Sequence, residues 1–393
     1  MWSISARKKM HMLWTVLLGT IATMWIAEAF DLARGVPTIA SIDDVPPLAN
    51  ERCPSVSILF AARDEAEKLP NALATLLSLN YPSYEVVATD DRSTDATGAI
   101  LMDAARRDPR LKPVRVDSLP AGWLGKPHAL QKAYERSSGE WLVFTDADVH
   151  FAPDLLQRTI ALAEAKGLDH LTLLGRAKMF TFGEKIAMTF FGVAIVAGTR
   201  PWSAHDANSQ GYSGVGAFQI VRRSAYEKMG THRRLAMEVI DDMKLGKLAK
   251  EAGVRSGAAK AGDAVSVHWH AGVGNMIRGT TKNFFAASGY RPWLTALQIV
   301  GLIAMFVAPV AALPFAHGWA RIFAAIAVAL PLIVTAAVAI EFRAPVAYAI
   351  TYPIGALLFA WMLARSMIVT LWQGGVVWRG TFYPLEELRR GVV

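Results

Sequence analysis

Cysteine is nearly absent from this chain of 393 residues, and charged residues are scarce. The single cysteine, Cys53, excludes a disulfide framework and a cysteine-based zinc site. Charged residues make up 19% and hydrophobic residues 53% of the sequence, and the mean hydropathy is +0.28. This composition excludes a disordered protein and argues against a purely soluble one, because soluble proteins of this size rarely have a positive mean hydropathy. The net charge of +8 suits nucleic acid, anionic lipid or a phosphorylated substrate equally well.

Charge is missing above all from the C-terminal quarter of the chain. Residues 293–378 contain four charged residues, Arg321, Glu341, Arg343 and Arg365. A transmembrane helix needs about 20 apolar residues, and the stretches 293–316, 319–340 and 346–372 each reach that length. We therefore predict a C-terminal transmembrane bundle with a tail over residues 291–393. Buried helices of a soluble protein are the alternative.

A further apolar stretch lies near the N-terminus, at residues 12–30, after the basic residues Arg7, Lys8 and Lys9. No A-x-A-like cleavage site with small flanking residues follows it, so we interpret residues 1–34 as an uncleaved transmembrane anchor, with a signal peptide as the alternative. A proline-containing linker at 35–54 then leads into the segment 55–290.

The segment 55–290 alternates short apolar runs with helical patterns. Strands are predicted at 56–61, 85–89, 111–116, 141–145 and 168–174, and helices at 65–79, 96–107 and 153–166. This order predicts an α/β domain with a mainly parallel sheet, helices on both faces, and ligands at the carboxyl ends of the strands.

Aspartates cluster where two of these strands end. Asp91 follows the second strand, and Asp146 and Asp148 follow the fourth. Crowded carboxylates repel one another, so a compensating cation is expected, and Asp146 with Asp148 could hold Mg²⁺ or Mn²⁺ beside diphosphate oxygens. The alternatives are that Asp95 caps the next helix and that Asp148 begins a turn; the short D-x-D pattern alone does not decide.

Four blocks in this region resemble the family 2 glycosyltransferases in their order and spacing. They are SILFAARDE at 57–65, VVATDDRSTD at 86–95, GKPHAL at 125–130 and WLVFTDAD at 141–148. Downstream, GVGAF at 214–218 with RRSAY at 222–226, and EVIDDMKLG at 238–246, are similar to the acceptor-side segment and the acidic motif of that family. The anchor, the later spans and WRGTFY at 378–383 resemble the ceramide glucosyltransferase-like and hopene-associated branch.

The resemblance implies a GT-A fold that uses a nucleotide-diphospho-sugar, most simply a UDP-sugar, in glycolipid or hopanoid biosynthesis. It implies that Asp91 binds the nucleobase, Asp146 the ribose or the metal, and Asp148 the metal. The other donor-binding residues that it implies are Ala62, Arg63 and Glu65. It further implies that Asp242 is the catalytic base, with Asp241 beside it.

Inverting transfer of a sugar needs a base for the acceptor hydroxyl and cations for the departing diphosphate. A carboxylate that adjoins another carboxylate is suited to proton uptake, which favours Asp242. The alternative for Asp241 and Asp242 is a helix start, where acidic residues interact favourably with the dipole. Lys126, in a glycine-containing loop, is a candidate for the diphosphate, with a solvated surface lysine as the alternative.

Arg278 and Lys282 precede the predicted bundle, where many family members carry Q-x-x-R-W. Here GTTKN stands at 279–283, so Lys282 could replace the arginine as a point charge. The missing tryptophan counts against a polymer channel of the cellulose or hyaluronan synthase type. Both cations could equally contact anionic lipid. In the alternating run 265–270, His270 is a candidate third metal ligand, with an ordinary unligated histidine as the alternative.

The position of the membrane raises a difficulty. Nucleotide sugars are cytosolic, so the catalytic domain should lie on the cytoplasmic side of a bacterial inner membrane. Three later spans would then place Arg379, Arg389 and Arg390 outside, against the positive-inside rule. We expect that one apolar segment is re-entrant or interfacial, or that the first stretch does not cross. Residues 183–201 are interpreted as an interfacial helix near the acceptor entrance, or as a core helix.

The sequence thus predicts an integral membrane hexosyltransferase that is metal-dependent and inverting. It would transfer a single sugar from a nucleotide-diphospho-sugar to a lipid hydroxyl, with no nucleic-acid partner. A processive polysaccharide synthase is the first alternative. A non-enzymatic scaffold is disfavoured by the complete acidic set, and a transporter by the few polar groups at depth.

Overall fold

The computed structural model describes residues 4–206 and 208–393, with side chains from residue 9 onward except at 207. The side chains of Arg7 and Lys8, used above to judge the anchor, lie outside this description. Contacts divide the chain into two units, each described here by itself. One contains the chain up to Pro37, Met179–Gly198 and His270–Trp372, and the other contains Thr38–Lys178, Thr199–Trp269 and Gln373–Val393. The predicted division of the chain into an anchor, a linker, a catalytic domain and a C-terminal bundle stays a prediction. Its boundaries are 1–34, 35–54, 55–290 and 291–393.

The second unit is built on a mixed sheet. Its strands are β1 (Ala40–Ser41), β2 (Val56–Ala62), β3 (Tyr84–Asp91), β4 (Leu111–Val116), β5 (Trp141–Asp146), β6 (His150–Phe151), β7 (His170–Ala177), β8 (Gln219–Arg222) and β9 (Ser256–Val267). The order is β1-β9-β7-β8-β5-β2-β3-β4, with β6 paired to β9. Strands β5, β2, β3 and β4 run parallel, whereas β8 is antiparallel to β5 and β7. The predicted mainly parallel sheet is confirmed.

Helices cover both faces of this sheet. They are α2 (Leu69–Leu77), α3 (Thr97–Arg107), α4 (Gly125–Glu135), α5 (Leu155–Ala165), α7 (Arg223–Lys228) and α8 (Asp241–Glu251). Along β2, Ile58 and Phe60 pack in one apolar cluster with residues of α2 and α5, while Leu59 packs in another with residues of α4 and α8. This alternation explains why β2 reads as a continuous apolar run, since both of its faces are buried.

The unit ends in a short C-terminal segment that consists of a hairpin and a helix. The strands are β10 (Gly375–Trp378) and β11 (Thr381–Pro384), and the helix is α15 (Leu385–Arg390). The strands pair antiparallel, with Trp378 opposite Thr381. The hairpin is therefore closed by a two-residue turn at Arg379 and Gly380.

Glu85 on β3 is a buried carboxylate that ties the sheet to the loop before β5. It accepts hydrogen bonds from the Ser57 hydroxyl at 2.6 Å and the Ser138 N–H at 2.6 Å, and it pairs with Lys112. Burial alone would raise the pKa of Glu85, but these donors outweigh it and lower the pKa to about 2. The Glu85 carboxylate is therefore ionised in the folded protein at neutral pH.

The first unit is helical. Its helices are α1 (Ile4–Gly35), α6 (Phe182–Thr199), α9 (Val273–Thr280), α10 (Phe284–Ala287), α11 (Pro292–Leu302), α12 (Ala308–Ala312), α13 (Gly318–Glu341) and α14 (Tyr352–Gln373). Within it, the Trp25 indole N–H donates to the Met305 carbonyl at 3.0 Å, and Phe190 packs edge-on against Phe306 at 4.9 Å. Aromatic contacts thus join helices that are distant along the chain.

Within the part of the chain that the structure describes, five helical segments are long and apolar enough to cross a membrane. They are Lys9–Thr38, Phe182–Ser203, Pro292–Ala312, Gly318–Glu341 and Val346–Gln373. The predicted N-terminal helix and three C-terminal helices are confirmed as long apolar helices. Phe182–Ser203 is a fifth candidate by length and composition, where the sequence predicted only an interfacial or core helix.

Candidate functional site

The parallel strands bring several predicted residues to one edge of the sheet. Ala62 pairs with Asp90 on the neighbouring β3, and Ala61 pairs with Asp146 on β5. Ala62 is fully buried and ends β2, while Asp91 and Asp146 end β3 and β5. The carboxyl ends of the strands therefore carry the acidic residues, as the strand order predicts.

Lys126 stands among three carboxylates at this edge. Its Nζ lies 2.7 Å from Asp146 Oδ1 and 3.7 Å from Asp241 Oδ2, and Asp242 lines the same pocket. Burial lowers the pKa of Lys126, but the charges of Asp146, Asp241 and Asp242 outweigh burial and raise it. The lysine is therefore charged and offsets the repulsion of the acids. The solvated-lysine alternative is wrong, because the Lys126 side chain is only 22% exposed.

Asp146 and Asp242 face a common point beside Gly216. A methyl group on Gly216 would lie 2.8 Å from Asp146 Oδ2 and 2.8 Å from Asp242 Oδ2. A methyl group on Gly214 would lie 2.2 Å from the Asp242 backbone carbonyl oxygen. The two glycines of the GVGAF block therefore let the start of α8 approach the end of β5, which brings together carboxylates that are far apart along the chain.

The Asp242 side chain and backbone are both held. Its Oδ1 accepts the N–H of Met243 at 2.8 Å. Helix α8 begins at Asp241, so the helix-start interpretation is confirmed for both Asp241 and Asp242. The Asp242 carbonyl accepts from Gln219 Nε2 at 3.0 Å, and Gln219 Oε1 lies 3.1 Å from Nε2 of the buried His170. Burial lowers the pKa of His170 to about 4, so its ring is neutral at pH 7. A neutral ring that donates to Gln219 accepts from Ser256, whose Oγ is 2.7 Å from Nδ1.

Asp148 belongs to a neighbouring ionic cluster. Its Oδ2 lies 2.8 Å from Lys68 Nζ, while Glu65 pairs with Arg379. Burial raises the pKa of Glu65, Arg379 opposes that shift, and the charge of Asp148 adds to it. Arg63, between β2 and α2, has a buried Nε with no hydrogen-bond partner among the described residues.

Asp91 forms a salt bridge with its neighbour in sequence. Arg92 binds it through both oxygens, at 2.7 and 3.0 Å. A methyl group on Gly125 would lie 2.4 Å from Asp91 Oδ2, so glycine at this position lets the start of α4 come close to the Asp91 carboxylate. Asp95 accepts the N–H of Thr97, the first residue of α3, at 2.9 Å, but the cap position of that helix is held by Ala96 and not by Asp95.

Three predicted residues lie in the other unit. Arg278 donates to Asn275 at 2.6 Å, and Lys282 donates to Asn283 at 2.8 Å. The ring of His270 lies against Gly279. The predicted strand over 265–270 is wrong in its second half, because β9 ends at Val267. The metal and donor roles of these three residues remain predictions.

Asp146 and Asp148 are the predicted ligands of a divalent metal. Among the described residues, no three His, Cys, Asp or Glu side chains come together as ligands. Two carboxylates two positions apart are nevertheless the hard oxygen donors that Mg²⁺ and Mn²⁺ prefer, and such ions take their other ligands from phosphate and water. Each carboxylate already carries a lysine, Lys126 or Lys68. A positive charge therefore already balances each carboxylate, and the role of Asp146 and Asp148 as metal ligands stays a prediction.

Several residues around the site escaped the sequence interpretation. They are Lys68, Arg92, Gln219, His232, Arg379 and Tyr383. Lys68 and Gln219 stand in no short motif, and their contacts are between distant parts of the chain. Arg379 and Tyr383 stand in the WRGTFY block, which pointed to a family branch but not to a role.

Residues 57–230 match the family model described as "Glycosyl transferase family 2". The beta-monoglucosyldiacylglycerol synthase of Synechocystis sp. is 30% identical over 162 residues, covering 38% of this chain and 33% of the relative. The 4,4'-diaponeurosporenoate glycosyltransferase of Staphylococcus haemolyticus is 26% identical over 259 residues, covering 64% of this chain and 67% of the relative. The match thus spans a third of the first relative.

Among solved structures, the chain is similar to the mannosyltransferase PcManGT of Pyrobaculum calidifontis, determined with GDP-Man and Mn²⁺. The TM-score is 0.51 at 21% identity, covering 91% of this chain and 99% of that one. At this identity the likeness shows a shared fold. The GT-A fold predicted from the sequence is confirmed.

Proposed function

We propose, from the match of residues 57–230 to the family 2 glycosyltransferase model, that the whole chain is a membrane-bound inverting hexosyltransferase. It transfers one sugar from a nucleotide-diphospho-sugar to the hydroxyl of a lipid. The observation that carries the proposal is the point beside Gly216 that Asp146 and Asp242 both face. A base that adjoins a donor-side carboxylate at one small gap would hold the acceptor hydroxyl next to the donor, as direct displacement at an anomeric carbon requires.

Asp242 is the base in this proposal. Its Oδ1 is held by the Met243 N–H, so Oδ2, which faces the gap beside Gly216, takes the proton of the acceptor hydroxyl. Gln219 holds the backbone of Asp242 and thereby positions that oxygen. Asp241 lines the same pocket and lies 3.7 Å from Lys126, whose charged form it favours; a direct catalytic role for Asp241 stays a prediction.

The donor occupies the edge of the sheet between β2, β3 and β5. We assign Asp91 to the nucleobase, Asp146 to the ribose or the metal, and Ala62, Arg63 and Glu65 to the rest of the nucleotide side. Lys126 then contacts the diphosphate. Asp146 and Asp148 would hold Mg²⁺ or Mn²⁺, which when bound offsets the charge on the departing diphosphate. The roles of His270, Arg278 and Lys282 stay predictions.

The acceptor is proposed to be a membrane lipid. Support comes from the five long apolar helices and from the printed names of the two relatives, which refer to a glucosylated diacylglycerol and to a diaponeurosporenoate. The assignment to a ceramide glucosyltransferase-like or hopene-associated branch, and a role for hopanoids, stay predictions.

The fold of the second unit restricts the membrane topology. Strand β7 precedes Phe182–Ser203 and β8 follows it, yet the two pair in one sheet. We therefore propose that both flanks lie on one side of the membrane and that Phe182–Ser203 does not make a single crossing. The same holds for residues 270–372, because Tyr383 beyond them contacts Gly125. We propose that an even number of the three C-terminal helices cross, which returns Arg379, Arg389 and Arg390 to the cytoplasmic side, as the positive-inside rule prefers.

The proposal is tested with purified full-length protein, radiolabelled UDP- and GDP-sugars, and a bacterial membrane lipid extract. We expect one labelled lipid that carries a single sugar, identified by mass spectrometry. Asp242→Asn should lower transfer by about 10²–10⁴-fold, because it removes a general base, while nucleotide binding is kept. Asp43→Asn, at a side chain 69% exposed, is the matched control and should transfer normally.

Three results would overturn the proposal. Products that grow to long polysaccharide would establish the processive synthase instead. Normal turnover by Asp242→Asn would refute the base. If the folded protein transfers sugar from none of the UDP- and GDP-sugars, the proposal that it is a glycosyltransferase is refuted.

A further inference from the structure

The C-terminal hairpin β10–β11 lies on the face that the proposed donor occupies. From its contacts we propose that this hairpin is a wall of the nucleotide site and that Arg379, at its tip, binds the donor diphosphate by exchanging Glu65 for phosphate. The inference rests on the proposed function, because it assigns a role within that donor site. It concerns a segment that follows the last long apolar helix, far from residues 57–230 in sequence.

The hairpin is anchored at the nucleobase side of the site. The Gly125 N–H donates to the Tyr383 hydroxyl at 3.3 Å, and Tyr383 is buried. The same hydroxyl interacts with Arg92, which in turn holds Asp91. Tyr383 therefore contacts the two elements that frame Asp91, and the base of the hairpin has one position relative to the sheet.

The tip reaches the other side of the same site. Arg379 pairs with Glu65, which follows β2. Lys68, three residues after Glu65, pairs with Asp148 at 2.8 Å. The hairpin thus extends from the nucleobase carboxylate to the neighbourhood of the metal carboxylate. A nucleoside diphosphate bound at this edge has its phosphates between those two places.

The backbone of the tip supports a functional arginine. Arg379 has φ +49° and Gly380 has φ +76°, so both turn residues are left-handed, as a two-residue hairpin requires. Asparagine or glycine is the usual first residue of such a turn, because a longer side chain is strained there. The strained position carries a guanidinium that is 44% exposed, against 19% for Glu65. Arg379 is therefore free to leave Glu65 when a stronger anionic partner arrives.

The chemistry of the guanidinium suits that partner. Its fork binds two oxygens of a phosphate at once, with charge-assisted hydrogen bonds. A diphosphate carries more negative charge than the single carboxylate of Glu65, so exchange is favourable once a donor is bound. Glu65 then accepts a hydrogen bond from Lys68, which belongs to the same group of charges, or from the bound nucleotide sugar.

The test compares the binding of a nucleoside with that of its diphosphate. Calorimetry on the full-length protein at fixed Mg²⁺ measures Kd for uridine and UDP, and for guanosine and GDP. The quantity of interest is the ratio of the nucleoside Kd to the diphosphate Kd, which isolates the contribution of the phosphates. We expect Arg379→Met to lower this ratio about tenfold and Arg379→Lys to lower it less, because a point charge remains.

Two further variants distinguish a direct contact of Arg379 with the phosphates from a general effect of its positive charge. Arg390→Met removes an equal charge from a side chain that is 79% exposed and should leave the ratio unchanged. In Glu65→Gln with Arg379→Met, the ratio should stay about tenfold below that of Glu65→Gln alone. Thermal unfolding confirms that each variant is folded.

Three outcomes would overturn the inference. One is an unchanged ratio in Arg379→Met and Arg379→Lys. Another is full recovery of the ratio in the double variant, which would mean that Arg379 only neutralises Glu65. If the wild type binds neither UDP nor GDP, the proposed function itself fails, and this inference fails with it.

Discussion

Gly216→Ala should separate catalysis from stability. The added methyl would lie 2.8 Å from Asp146 Oδ2 and from Asp242 Oδ2, whereas ordinary contact begins at 3.4 Å. Each oxygen must therefore retreat by about 0.6 Å, or the methyl fills the gap in which the sugar and the acceptor meet. Displacements near 1 Å can lower catalysis about a hundredfold. Because the atoms in the way are the ends of side chains, the free energy of unfolding should fall by no more than about 1 kcal/mol.

Two other glycines provide the comparison. At Gly214 a methyl would lie 2.2 Å from the Asp242 carbonyl oxygen and 2.9 Å from the Met243 Cα. Backbone cannot move aside, so Gly214→Ala should lower the free energy of unfolding by about 1–3 kcal/mol. At Gly198, in helix α6, a methyl meets nothing within 4 Å, so Gly198→Ala should lower neither stability nor transfer.

The assay measures kcat for transfer to lipid, nucleotide affinity by calorimetry, and thermal unfolding for all three variants. Gly216→Ala should lose about a hundredfold in kcat while its unfolding stays close to that of the wild type. The reasoning about the shared gap is refuted if Gly216→Ala transfers at the wild-type rate. It is also refuted if Gly216→Ala loses as much stability as Gly214→Ala, since the glycine would then serve the fold.

Three more predictions follow from the charges and the topology. Asp148→Ala should abolish the dependence of nucleotide binding on Mn²⁺, measured by calorimetry with and without the metal; an unchanged dependence would refute the ligand role. The pKa of Glu85 is lowered to about 2 in the folded state, so its contribution to stability is present above pH 4.5 and is lost as the pH falls toward 2. Glu85→Gln should therefore cost roughly 1–3 kcal/mol at pH 7 and flatten the acid limb of the unfolding curve; an unchanged limb would contradict the assignment. In a Cys53→Ser background, Glu386→Cys and Asp117→Cys, at side chains 84% and 83% exposed, should react with an impermeant maleimide from the same side of sealed vesicles; labelling from opposite sides would refute the even number of crossings.

The central strands β2, β3 and β5 were predictable because they are buried almost throughout and contain apolar runs. The predicted strand at 111–116 coincides with β4, and the one at 56–61 is one residue shorter than β2. The run 265–270 was misjudged because alternation alone does not show where pairing stops, and β9 ends at Val267. The helix at 182–199 was hard to classify because its length and composition fit a membrane span, while the strands around it pair in one sheet.

The site was only partly predictable. The acidic residues stand in short blocks, and their resemblance to a family assigned them roles that the structure supplements with contacts. The cations that balance them could not be found this way. Lys68 pairs with Asp148 across 80 positions and Arg379 pairs with Glu65 across 314, and no local pattern links residues so far apart.

The amino-acid sequence by itself determined the alternation of strands and helices, the long apolar helices and the acidic residues at the strand ends, because these depend on local composition and periodicity. Only the tertiary structure decided that Asp146 and Asp242 face one gap, that two glycines make that gap possible, and that the C-terminal hairpin returns to the edge of the sheet. These features depend on which distant surfaces pack together, and packing is a property of the whole chain.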